Sequence, residues 1–349
     1  MIRVALIPGD GIGPEVVREA RRVLDAAAET GVPLSFEEFP HGADHFLATG
    51  ETLSEETFGR LRDEFDAILL GAVGDSRIPD GRHARDILLG LRFRLDLFIN
   101  LRPAKLRLAE LSPRRLADEA DIDFVIFREN TEGLYTGAGS STGEGTPDER
   151  AVSEAIATRS GVERIVRAAF GHARRHGIGR VTLGDKANAV PHVYGLWRRV
   201  FAEVADEFSD IQSEMVYVDA LAMQLVRDPG RFGVIVTSNL LGDILSDLAA
   251  ELVGGVGLAP SANLNPAGGA LYEPVHGSAP DIAGKGEANP MAAILCAAML
   301  LRDGGAAEVA GRIEDTVDEA LRTGVRTPDV GGVSTTTEVG SWIAERIRV

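Results

Sequence analysis

Ile2-Arg-Val-Ala-Leu-Ile-Pro-Gly-Asp-Gly-Ile-Gly-Pro14 is the stretch whose reading decides the fold class. Ile2–Ile7 is a short apolar strand, and helical periodicity starts at Pro14, with proline in the first turn. Between them, glycines let backbone approach a ligand closely, and a helix N-terminus favours negative groups. A dinucleotide fingerprint would read G-x-G-x-x-G; here the spacing is G-x-G-x-G followed by proline. Taken alone, the turn is as readily a tight structural corner as a ligand loop.

Working outward, Asp66–Gly71, Phe124–Phe127, Arg180–Gly184 and Phe232–Thr237 repeat the short apolar strand, and Leu95–Leu101 is strand-like. Helical patterns lie between them, over Val162–Arg175 and Tyr194–Phe208. Strands alternating with helices predict an α/β chain with a largely parallel sheet and some departures. Residues 137–150 are small and loop-like, either a linker or an excursion from the body. Met291–Leu301 is the longest apolar run, well short of the roughly 20 residues that span a bilayer, so it predicts a buried helix. The single cysteine, Cys296, lies inside it and reads as an inert core thiol. With one cysteine and a strand at the very start instead of a signal peptide, a cytoplasmic protein is expected, with no membrane partner. The net charge of −17 argues against nucleic acid, whose phosphates it would repel.

Chemistry concentrates in a few places. In Gly242-Asp-Ile-Leu-Ser-Asp247, after the strand ending at Thr237, an apolar stripe leaves Asp243 and Asp247 together on the other helix face. Helix-dipole placement explains such a pair as well as a hard divalent cation does; Asp219 would be a third carboxylate. Arg92, Arg102 and Arg128 read as residues at strand ends, either surface charges or planar forks for carboxylates. Only three lysines occur, Lys105, Lys186 and Lys285. Lysine, unlike arginine, can release its proton, which makes Lys186 in Asp185-Lys-Ala-Asn188 a candidate proton carrier; Tyr135 is a candidate acid. Glu273–Pro290 is a long Gly/Pro loop, of a length that is uncommon without a function. Asp281 within it suits a ribose diol and would repel a 2′-phosphate.

Together these motifs, from Ile7 to about Gly332, resemble the β-hydroxyacid oxidative decarboxylases of the isocitrate/isopropylmalate dehydrogenase family. The resemblance implies a non-Rossmann α/β fold of two domains, 1–98 plus 254–349 on the cofactor side and 99–253 for metal, substrate and dimerisation, with an arm formed around 137–150. It implies a homodimer with shared active sites. Mg2+ or Mn2+ would be held by Asp219, Asp243 and Asp247, and the substrate by Leu88, Arg92, Arg102, Arg128 and Asp219. Tyr135, Lys186 and Asp219 would be catalytic, with Lys186 and Asp219 reaching into the partner's site. NAD would be bound by Asn188, His276, Gly277, Ser278, Ala279, Asp281 and Asn289. Within the family, Ile87, Leu88 and Leu89 suit an isopropyl group and would leave a carboxylate badly solvated. This implies 3-isopropylmalate as substrate and a place in leucine synthesis. Arg128-Glu-Asn-Thr-Glu-Gly-Leu-Tyr135 is closer to the isocitrate, homoisocitrate and some archaeal-type isopropylmalate patterns, which keeps a tartrate/D-malate- or isocitrate-type enzyme open, with an inactive regulatory paralogue as the remote alternative.

Overall fold

A computed structural model describes residues 1–114, 118 and 121–348. The chain forms two compact units, one of Met1–Leu97, Lys105–Glu119 and Ala250–Val349, the other of Phe98–Ala104 and Ala120–Ala249.

In the first unit the opening stretch becomes strand β1 (Ile2–Gly9) and helix α1 (Gly13–Glu29), with proline at the start of the helix. The strands run β2 (Leu34–Glu38), β1, β3 (Ala67–Ala72), β12 (Ala270–Pro274) and β11 (Pro260–Leu264). All neighbours are parallel except β11 and β12, which is the expected departure. Every residue of β3 is buried, as an apolar strand covered on both faces requires. The apolar run near the C-terminus is helix α9 (Met291–Asp303), with Cys296 fully buried. Helix α1 packs its Val16, Ala20, Val23 and Leu24 face against α9 and α11 (Thr336–Ile347).

The second unit orders its strands β4 (Ile99–Lys105), β5 (Asp123–Glu129), β10 (Val234–Thr237), β8 (Arg180–Asp185) and β9 (Gln212–Tyr217). β5, β10, β8 and β9 are mutually parallel. Helices α5 (Arg159–Arg175), α6 (Pro191–Asp206), α7 (Val218–Arg227) and α8 (Asn239–Leu252) connect them. The 137–150 stretch is an excursion, an antiparallel pair of β6 (Gly139–Thr142) and β7 (Arg150–Ser153) with nearly every residue exposed.

One expected strand is displaced. Leu95–Leu101 does not form a continuous strand: helix α4 (Arg82–Arg94) ends just before it, and β4 begins only at Ile99. Leu95 and Leu97 are apolar because they pack on the core cluster around Ile68, Ile87 and Leu91. Arg92 therefore sits in the last turn of a helix and Arg102 inside β4, so neither is at a strand end. Among the described residues no helix is long and apolar enough to cross a membrane.

Candidate active site

Helix α8 starts where β10 ends, and its first turns present Asp243 and Asp247 one helical turn apart. Neither is left as a bare charge. Arg128, buried at the end of β5, places Nη1 2.5 Å from Asp243 Oδ1 and directs Nε and Nη2 to the Asn239 side-chain oxygen at 3.1 and 2.7 Å. Arg102 donates from Nη1 to Ser246 Oγ at 2.6 Å and to Asp247 at 3.3 Å, and its Nη2 lies 3.6 Å from Asp243. Tyr135 donates its hydroxyl to Asp243 Oδ2 at 2.9 Å. Burial, with Asp243 beside it, raises the Tyr135 pKa, so the phenol keeps its proton at neutral pH. Two guanidiniums balance two carboxylates, the arrangement that partly buried charges require.

Local sequence explains these positions. Gly242 is needed because a Cβ there would lie 2.6 Å from Arg128 Cγ, so the helix can cross the arginine only at a glycine. The turn leading to Tyr135 is held by the buried Glu129 carboxylate, which accepts from the Thr131 and Glu132 amides at 3.0 and 2.7 Å. Asn239 also donates to the Glu132 carbonyl.

Lys186, just past β8, donates to Asp219 Oδ1 at 2.8 Å, and this bond lowers the Asp219 pKa. The buried Asp185 shapes that turn by accepting from Ala187 N and from Arg198. Asn188 is exposed. Among the described residues Asp219 does not gather with Asp243 and Asp247 within one chain. The structure thus brings Arg102, Arg128, Tyr135, Asp243 and Asp247 together, and joins Lys186 to Asp219 as a separate pair.

In the first unit, Arg92 is buried and its Nη2 donates to Glu273 Oε1 at 2.6 Å, an oxygen shared with Asn263. The leucine segment divides by helical phase. Ile87 is fully buried in the core cluster and is therefore not a pocket residue, whereas Leu88, packed against the edge of that cluster, and Leu89 are half-buried one turn before Arg92. The Gly-rich turn is clasped from two sides. Ile12 N donates to the Ser278 carbonyl, and a Cβ at Gly11, whose φ is +57°, would lie 1.9 Å from that oxygen. Asp10 is buried and accepts from Ala43 N at 2.6 Å and Gly74 N at 2.7 Å, with His83 Nε2 3.0 Å away. The loop carrying His276, Gly277, Ser278, Ala279 and Asp281 thus lies against the first βα turn. Gly277 and Asp281 are exposed, and Ala279 has a φ of +38°. Burial lowers the His276 pKa, which keeps its imidazole neutral at neutral pH. Asn289 is buried and already committed, accepting from Met291 N and donating to Asp329. Glu273, Asn239, Ser246 and His83 are the partners that reading the sequence missed. Most lie far along the chain from the residues they hold.

Donors of two kinds stand ready for the groups the motifs imply. Asp243 and Asp247 offer hard carboxylate oxygens one turn apart, which suit Mg2+ or Mn2+. The 276–281 loop beside a glycine turn offers the close backbone approach that a dinucleotide needs.

The sequence pattern of the isocitrate/isopropylmalate dehydrogenase family matches residues 3–343. The chain belongs to that family. It is 44% identical over 349 residues to the 3-isopropylmalate dehydrogenase of Thermobifida fusca, covering 99% of this chain and 98% of that one. It is 48% identical to the 3-isopropylmalate dehydrogenase of Corynebacterium aurimucosum, covering 98% of each. Among solved structures, isocitrate dehydrogenase from Methylococcus capsulatus superposes with a TM-score of 0.91 at 40% identity, covering all of both chains. A β-decarboxylating dehydrogenase from Thermococcus kodakarensis superposes with a TM-score of 0.81 at 41% identity, covering 99% of this chain and 96% of that one.

Proposed function

We propose that this chain oxidises and decarboxylates 3-isopropylmalate, with NAD+ as hydride acceptor, in leucine synthesis. The observation that carries the reading is Asp243, one carboxylate that holds both a buried arginine and a protonated phenol at the start of α8. Full-length likeness to proteins named 3-isopropylmalate dehydrogenase sets the substrate class. Leu88 and Leu89, apolar and half-buried beside Arg92, favour an isopropyl group over a third carboxylate.

In this reading the functional domains are 1–98 plus 254–349 and 99–253, and the working form is a cytosolic homodimer. Lys186 and Asp219 of one chain complete the site of the other, which supplies the third carboxylate that a single chain does not bring to Asp243 and Asp247. A Mg2+ or Mn2+ ion held by Asp219, Asp243 and Asp247 would acidify the substrate hydroxyl and stabilise negative charge on its oxygen. Arg92, Arg102 and Arg128 bind and orient the carboxylates. Lys186 Nζ, as the free amine once Asp219 turns to the metal ion and the ammonium has given its proton to solvent, takes the hydroxyl proton, and bound NAD+ would accept the hydride from C2. The C3–carboxylate bond then breaks to release CO2, and Tyr135 Oη returns a proton to C3. His276, Gly277, Ser278, Ala279, Asp281 and Asn289 form the cofactor cradle, with Asn188 nearer the nicotinamide.

The test is NADH or NADPH formation by the full-length protein with Mn2+, on 3-isopropylmalate, isocitrate and D-malate, each with NAD+ and NADP+. Strong preference for 3-isopropylmalate with NAD+ is expected. Preference for isocitrate, the substrate in the name of the Methylococcus relative, would overturn the leucine argument and make Arg128–Tyr135 the better guide.

A further inference from the structure

Far from the aspartates in sequence, and independent of the reading above, β2 runs into a turn that carries two histidines. His41 precedes the short helix α2 (Ala43–Thr49), and His45 lies one turn further on. Gly50, at a φ of +76°, reverses the chain after the helix, which Thr49 ties off by donating to the His45 carbonyl and accepting from Glu51 N. The reversal returns Glu51 to His45, whose Nε2 lies 4.0 Å from Glu51 Oε1. The two imidazole rings are 4.8 Å apart, and one ligand atom from each of His41, His45 and Glu51 falls within 4.8 Å of the others.

The second observation is that three of these imidazole nitrogens lack a hydrogen-bond partner among the described residues. His41 is only 5% exposed, yet neither Nδ1 nor Nε2 has a hydrogen-bond partner, and His45 Nε2 is likewise buried and unpartnered. Buried polar groups are nearly always satisfied, and one left without a partner carries its full desolvation penalty. Ring stacking with His45, and Phe39 at 6.3 Å, supplies contact but no acceptor or donor for those nitrogens. Burial, reinforced by His45, lowers the His41 pKa, which leaves its lone pair free at neutral pH.

We propose that His41, His45 and Glu51 form a second metal site, built for Zn2+ or a similar imidazole-seeking divalent ion and distinct from the aspartate pair on α8. Two nitrogens and one carboxylate oxygen match the donor set of such ions, whereas Mg2+ prefers oxygen alone. Tetrahedral zinc bonds of about 2.0–2.1 Å place ligand atoms roughly 3.3 Å apart, so ligand atoms now within 4.8 Å of one another would draw together by up to about 1.5 Å on binding. Glu51 lies toward solvent, which leaves an entry path and room for water as a further ligand. The site is also wired to the Gly-rich turn. Ala43 N, at the head of α2, donates to Asp10, and Gly42 admits no Cβ because Asp10 Oδ1 would lie 2.6 Å from it.

The experiment titrates Co2+ into the full-length protein in excess Mg2+, reads the visible absorption of nitrogen-bound Co2+, and then displaces it with Zn2+. One Co2+ per chain is expected, displaced by Zn2+. His41→Ala and His45→Gln should weaken it by about tenfold or more, while the Asp243→Asn/Asp247→Asn protein keeps it. His45 and Glu51 are near the surface, so His45→Gln and Glu51→Gln, checked by unchanged circular dichroism, separate loss of a ligand from loss of fold. Unchanged Co2+ affinity in His45→Gln, no nitrogen-type absorption in the wild type, or loss of the signal only in the aspartate variants would each overturn the proposal.

Discussion

The aspartates of α8 and the histidines around α2 solve opposite problems. At α8 the ligand atoms are charged, and Arg102, Arg128 and Tyr135 hydrogen-bond to them. At α2 the ligand set is two imidazoles and one solvent-facing carboxylate, and among the described residues neither ring nitrogen of the buried His41 has a hydrogen-bond partner. A carboxylate pair can be held ready only if something balances its charge, and here the balancing groups are also forks suited to the substrate's carboxylates. A buried imidazole kept neutral needs no balancing charge, and its cost is unmade hydrogen bonds alone. The difference separates a site organised for turnover from one organised for an ion alone.

The largest effect that would break this comparison lies in the charged cluster. Asp243→Asn and Lys186→Arg should each lower kcat by about 10²–10⁴-fold, with Lys186→Arg still binding substrate. His45→Gln should stay within about twofold of wild type, as a change away from the reacting atoms does. Near-normal turnover in Lys186→Arg would remove that residue from the chemistry. Mixing the two inactive proteins under conditions that exchange subunits should restore activity, because one site of a mixed dimer then draws intact residues from both chains. No recovery would count against shared sites.

Next in size is Gly242→Ala. The added methyl must push Arg128 aside, and a displacement of about 1 Å at a positioning residue costs roughly 100-fold in rate, with circular dichroism unchanged. Wild-type kinetics in that variant would show that the tight crossing of α8 over Arg128 has no part in catalysis.

A smaller effect uses a second histidine pair as a control. The rings of His172 on α5 and His176 just past its end lie 4.2 Å apart, but their charged neighbour is Arg175, not an acid, and the His172 pKa is lowered to about 4 by burial, then by His176 and Arg175. The pair should bind no Co2+. Because the unfolded imidazole takes its proton near 6.5 and the folded one only near 4, the stability from keeping His172 neutral is present above 6.5 and is lost as pH falls through that window. About 1–2 kcal/mol is expected after allowing for partial exposure. Urea unfolding of wild type and His172→Gln at neutral pH and at mildly acid pH checks this; parallel slopes in the two proteins would refute it. The smallest effect is none: burial raises the Cys296 thiol pKa, so the native protein should not react with a thiol reagent, whereas the urea-unfolded chain should react once.

Much of this was legible in the sequence wherever the signal was local. The Pro8–Pro14 turn, the Asp243–Asp247 spacing and the apolar run of α9 depend on neighbours within a few residues, and all appear where their patterns put them. Burial divided Ile87 from Leu88: with Leu91 four residues later, Ile87 lies at the centre of the core face and Leu88 only at its edge, a helical spacing that the run of three apolar residues hid. Leu95–Leu101 misled because helix exit and strand entry are both apolar there. Glu273 was out of reach, since it meets Arg92 across 181 positions of chain, as was Asn239, 111 positions from Arg128. His41 and His45 stand four apart in the sequence, but only folding shows that both nitrogens of His41 are buried without a hydrogen-bond partner among the described residues.

The packing of α1 on α9 and α11 has a consequence for how the chain is made. Helix α1 leaves the ribosome with Val16, Ala20, Val23 and Leu24 uncovered, and its partner α9 begins only at Met291. At about 5–20 residues per second, roughly half a minute of synthesis separates the two. The second unit, whose strands all lie between those points, can form in that interval, while the first must hold an open apolar face until its last helices arrive. Translation rate and chaperone capture should therefore govern the yield of the first unit far more than that of the second.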